Sequence, residues 1–194
     1  MPMISILAAL LLAGTTTPQA PSDEERDRVR ALAEVNPDWH HQPAWMGFRW
    51  VSSFGEYAGG VWIYSASTIK GAPAGRPTRP RYVAQKISMR AGEAARSEWT
   101  NTDQCPALVE IVRSYERLEL PRVVVMGLHW PPTVPKVALD GTSWTIWARQ
   151  GHQADDFLAD VTMTSNAGTI ERWGREAKDN LEPCWTPDEP AEDF

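Results

Sequence analysis

The chain has two cysteines, and each stands at a helix boundary that the sequence itself marks. Cys105-Pro106 opens a stretch in which Leu108, Ile111, Tyr115 and Leu118 recur on one helical face, with the proline where its missing N–H does no harm. Cys184 follows Glu182-Pro183, which ends a second helical stretch, Gly168 to Leu181, whose Ile170, Trp173, Ala177 and Leu181 make one stripe. With no other thiol competing, a pair of this kind in an oxidising compartment is most simply one disulfide. Closing a loop of this length stabilises a fold by about 4 to 5 kcal/mol in the chain-entropy account. The alternative is a free nucleophilic thiol, but no histidine lies close in sequence to either cysteine.

The oxidising compartment is argued from the N-terminus. Ile4 to Ala13 is a largely apolar run of ten, followed by Gly14, three threonines and a Pro-Gln-Ala-Pro-Ser segment, the layout of an export signal. It falls short of the roughly 20 apolar residues that span a bilayer. No Lys or Arg precedes the run, and Pro21 disfavours a cut directly after Ala20, so the expected leader is residues 1–22. Thr15 stands where a lipidated cysteine would follow Leu12-Ala13-Gly14, so export without a lipid anchor is expected, to the periplasm or beyond. The other reading of the run is a buried N-terminal segment.

Residues 23–185 read as one domain. Ser22 and Glu25 form a capping-box pair ahead of Val29, Leu32 and Ala33, predicting a short helix that Asn36-Pro37 stops. Trp45 to Ser53, Gly60 to Thr68 and Arg81 to Met89 are rich in aromatic and β-branched residues and predict three strands. Residues 91–104 are polar and read as a loop. Lys136 to Leu139 and Thr142 to Arg149 read as a hairpin across Asp140-Gly141, and Ala159 to Thr164 as a last strand before the final helix, with Asn166 as its cap. Strands interrupted by helices without regular alternation predict an α+β fold, a mainly antiparallel sheet with two or three helices packed on one face. Residues 186–194 carry four acids and no base, four of the six net negative charges, and read as a disordered acidic tail.

A net charge of −6 is the wrong balance for a nucleic-acid binder, and two cysteines are too few for a four-thiolate zinc site or an iron–sulfur cluster. No Gly-x-Ser-x-Gly elbow or phosphate-cradling glycine loop is present, and no cofactor is expected. The candidates for chemistry are His40 and His41, with His152, Asp155 and Asp156. Brought together they would hold a zinc ion or act as an acid–base pair, whereas solvated loop histidines are the simpler reading. Ten tryptophans pose a second question. Trp144 and Trp147 must face opposite sides of one strand, so one of them is covered by a second layer or exposed. Trp39, Trp45 and Trp130, in or beside proline-rich stretches, are the candidates for a surface cluster that stacks on sugars or clamps a peptide, with Arg49 near them.

In Cys105-Pro106-Ala107-Leu108, Asp140-Gly141-Thr142, Thr164-Ser165-Asn166, Trp173, Leu181 and Pro183-Cys184-Trp185 the chain resembles a group of small exported bacterial proteins of unknown function. The resemblance covers roughly the C-terminal half. It implies an export signal and the same cysteine pairing, and it carries no activity. The expectation is an exported, disulfide-stapled binding, inhibitory or accessory module with an envelope protein or glycan as partner. The alternatives are a small, metal-assisted envelope hydrolase and a glycan-binding module.

Overall fold

A computed structural model describes residues 20–66, 80–119, 141–151 and 158–191. Its first helix, α1 (Asp23–Leu32), starts where the capping box places it. The Ser22 amide donates to Glu25 Oε2 at 2.7 Å and the Glu25 amide donates to Ser22 Oγ at 3.3 Å. The Ser22 amide and the Ser22 hydroxyl, which donates to the same oxygen at 2.9 Å, hold the Glu25 carboxyl below its ordinary range. A two-stranded hairpin follows, β1 (Asp38–Trp39) with β2 (Gln42–Pro43).

The main sheet comprises β3 (Met46–Ser52), β4 (Tyr57–Ser65), β5 (Tyr82–Arg90), β6 (Arg96–Asn101), β7 (Thr142–Gly151) and β8 (Leu158–Ser165), in the order β6-β5-β4-β3-β7-β8. Every neighbouring pair is antiparallel. With α2 (Ala107–Glu116) and α3 (Gly168–Leu181) the fold is α+β.

Alternation along the strands sends side chains to two cores. Met46, Phe48, Trp50, Val61, Ile63, Trp144 and Ile146 face α2 and α3, which present Leu108, Ile111, Val112, Ile170, Trp173 and Leu181. Trp173 joins the helices by donating its indole N–H to Ser114 Oγ at 2.9 Å while standing edge-on to Phe48. On the opposite face Trp62, Tyr64, Val83 and Trp99 gather around Trp39. That face is covered by α1, which packs over β4 and β5, and by the chain that leaves it. Two helices therefore share one face, and the third lies across the other.

The tryptophan surplus has a steric explanation. Trp147 lies over Gly47, Trp50 over Gly59, Trp62 over Gly60 and Trp144 over Gly174, each so closely that a Cβ on the glycine would fall within 3.0 Å of the ring. Glycines in β3, β4 and α3 thus make flat seats for indoles. Trp144 and Trp147 do face opposite sides, and each side has its own cover.

Cys105 and Cys184 are joined, with Cα atoms 5.6 Å apart, so the start of α2 is tied to the short 3₁₀ turn Glu182–Cys184 that ends α3. Beyond it Thr186 makes one antiparallel bridge to the edge strand, its N–H donating to Trp99 O at 2.9 Å and its O accepting from Trp99 N–H at 2.7 Å.

Two local expectations are corrected. Residues 96–101, read as loop, form the edge strand β6, because pairing with β5 satisfies the backbone of a segment that buries Trp99, Thr100 and Asn101. Along Trp144–Ala148 both edges of β7 are taken, by β3 and β8. Residues 136–139, the expected hairpin partner of β7, lie outside the described residues. The N-cap of α3 is Ala167 without a side-chain bond, and Ser165 Oγ accepts from the Ala167 amide where Asn166 was expected to cap.

Candidate ligand-binding groove

On the helical face, α3 does not reach as far as the β5–β6 hairpin, and between them runs an open groove of about 520 Å³. One wall is the strand pair. Lys86, Ser88 and Arg90 alternate along β5 toward the groove, and Arg96 stands opposite Ser88 on β6. The other wall is α3 with the turn that ends it, where Arg175, Lys178 and Asp179 on the helix and Glu182 in the turn fall at helical spacing. Trp50 and Trp144 make the floor, and one end is marked by Tyr57, whose hydroxyl lies 2.7 Å from Thr142 Oγ1.

Charge is distributed unevenly in this groove. Lys86 is buried, with 8% of its side chain exposed, and its ammonium is held by Glu98 at 2.8 Å and Glu182 at 3.5 Å while lying 5.1 Å over the Trp185 ring. This cluster closes the inner end and links β5, β6 and the end of α3. Arg175 is paired with Glu171. The other cations are held loosely: Arg96 reaches Glu93 only at 3.5 Å, Lys178 reaches Asp179 at 3.9 Å, and the Arg90 side chain makes no ion pair or hydrogen bond among the described residues. Lys178 also lies 5.8 Å over Trp50. Beneath them the buried indole N–H of Trp144 has no acceptor among the described residues.

The residues singled out by sequence do not converge. His40 and His41 form the two-residue turn between β1 and β2, both exposed and both left-handed (φ 48° and 63°), as a tight hairpin turn requires. Glu189 lies 3.9 Å from His40 Nε2. Among the described residues no three His, Cys, Asp or Glu side chains are grouped as a metal site would need. His152, Asp155, Asp156 and Trp130 lie outside the described residues. Trp39, expected at the surface, is 1% exposed and packs on Tyr64, because β1 folds back over the second core. Trp45 is half-buried and stacked on Tyr82. Arg49 donates to Ala33 O and lies 3.8 Å from Glu34, so its charge serves the C-terminal end of α1.

Burial pushes the Tyr64 hydroxyl well above the ordinary tyrosine value, reinforced by Asp38 and Glu189. It donates to Pro37 O at 3.0 Å, pinning the covering segment to the second core.

The groove residues went unread because β6 was not recognised. The alternation of Lys86, Ser88 and Arg90 on a strand was the available signal. A second pattern also passed unread: Ser67 and Lys70 have Ser-x-x-Lys spacing, without the Ser-Asp-Asn or Lys-Thr-Gly segments that accompany it in acyl-transfer enzymes, and both lie outside the described residues. No family model, curated protein or solved structure matches the chain.

Proposed function

We propose that the protein is a non-enzymatic binding or accessory module, exported to the bacterial envelope, and that the groove between α3 and the β5–β6 hairpin is its ligand site. The observation that carries this reading is the groove itself: a concave surface of ligand size whose polar groups converge from three elements of a covalently tied scaffold. The disulfide suits an oxidising compartment, and the leader-like run Ile4 to Ala13 supports export. The histidine-based hydrolase and the tryptophan-face glycan reading gain no comparable support, since His40 and His41 occupy a turn and Trp39 is covered.

The test is a thermal-shift screen of acidic, neutral and basic saccharides and peptides against the protein and its Ser88→Trp variant, which fills the groove. Ligands that raise the melting temperature of the parent and not of the variant support the reading. Ligands that stabilise both equally refute it.

A further inference from the structure

We infer that the groove takes a small anionic ligand carrying at least two carboxylate or phosphate groups, an inference that rests on the groove being the ligand site. Five cations and three carboxylates line it, and two of the cations, Lys86 and Arg175, are paired with carboxylates just outside the lining, Glu98 and Glu171. Lys86 and Arg175 are already committed to carboxylates. The Arg90 side chain has no such partner among the described residues, and Arg96 and Lys178 have only the long contacts with Glu93 at 3.5 Å and Asp179 at 3.9 Å. The contacts of Arg96 and Lys178 with Glu93 and Asp179 are long and solvent-exposed, the kind of pair that contributes little and exchanges partners readily.

The positions of these three groups narrow the ligand class. Arg90 and Arg96 stand on the strand wall and Lys178 on the helix wall, so each wall offers at least one cation. A ligand with two separated anionic groups bridges them. The guanidinium forks of Arg90 and Arg96 suit the paired oxygens of carboxylate or phosphate. An apolar or sugar ring face is the poorer match, because the Trp50 indole already lies beneath the Lys178 ammonium and both floor indoles are almost wholly covered.

Isothermal titration of the full exported chain with pyrophosphate, citrate, digalacturonate and neutral digalactose tests this, at low and at physiological salt. The expected result is saturable binding of at least one anion, weakened several-fold by the added salt as screening requires. Arg90→Ala and Lys178→Ala, both surface changes, should each weaken it by roughly tenfold, the loss of one charge-assisted contact. Preference between pyrophosphate and the carboxylates then tells a phosphate ligand from an acidic saccharide or organic acid. Neutral digalactose binding as well as digalacturonate, with both lost in Ser88→Trp, would overturn the anionic class while leaving the groove as the ligand site. Anion binding that Ser88→Trp leaves intact, or no heat from any of the three anions, would overturn the inference outright.

Discussion

Replacing Gly174 by alanine sets two well-measured effects against each other. In a helix interior alanine is favoured over glycine by about 0.8–1 kcal/mol, so propensity alone makes the change stabilising. In this protein the added Cβ would fall inside 3.0 Å of Trp144 Cε3, with Cδ2 and Cζ3 at 3.1 Å. The ring cannot swing clear, since Trp144 is 4% exposed and is backed by Trp50 at 5.7 Å. Overpacking of this kind costs roughly 1–3 kcal/mol, and a rigid indole puts the cost near the upper end. The net effect is a loss of about 1–2 kcal/mol, a fall in melting temperature of roughly 3–6 °C for a chain of this size. Calorimetry of Gly174→Ala measures it. The same change in a Trp144→Leu background, where the ring is gone, should reverse sign and stabilise by up to about 1 kcal/mol. A rise in melting temperature for the single variant, or equal effects in both backgrounds, would refute the idea that glycine seats set the spacing between α3 and the sheet.

The buried Lys86 ammonium gives a second, non-additive prediction. Glu98→Gln or Glu182→Gln alone leaves one carboxylate and should cost about 1 kcal/mol or less, whereas the double change strands a buried charge and should cost about 3 kcal/mol in urea unfolding. Tyr64 sets an alkaline limit. Its folded hydroxyl holds its proton more tightly than in the unfolded chain, so its stabilising contribution is intact below the ordinary tyrosine value near pH 10 and is lost as pH rises above it. Urea midpoints should therefore fall from about pH 10 upward, and less steeply in Tyr64→Phe. At the N-terminus, removal of the leader after Ser22 would delete the capping box, worth about 0.5–2 kcal/mol. The expected cut after Ser22 gives a chain beginning at Asp23, which intact-mass measurement decides; that chain should be less stable than one retaining Ser22, and equal stability of the two would show the box to be dispensable.

What could be read from sequence was local. The last helix is legible to the residue because its stripe, its glycine start and its Glu-Pro stop all lie within one segment. The capping box of α1 and the pairing of the cysteines are similarly self-contained. What escaped was set by partners far along the chain. Five polar residues around Trp99 give β6 no period worth reading, and it becomes a strand because β5 offers an open edge and Thr186, 87 positions on, bridges to Trp99. The Asp140-Gly141 signal marks a turn without saying which neighbour β7 will take, and β3, some hundred positions earlier, takes one side. Trp147 is seated on Gly47 through the same pairing, so neither residue alone announces the contact. The groove inherits this difficulty: its cations come from β5, β6 and α3, and only the fold brings them to one place.

The measurement closest to the central claim is a chemical-shift map of backbone amides and indole N–H groups, recorded while the tightest ligand from the titrations is added. The account predicts that the perturbed signals form one patch comprising Tyr57, Ser88, Arg90, Arg96 and Lys178, with the Trp50 indole among them. Perturbations centred instead on the His40-His41 turn, or on the stacked Trp45 and Tyr82, would place the ligand elsewhere and contradict it.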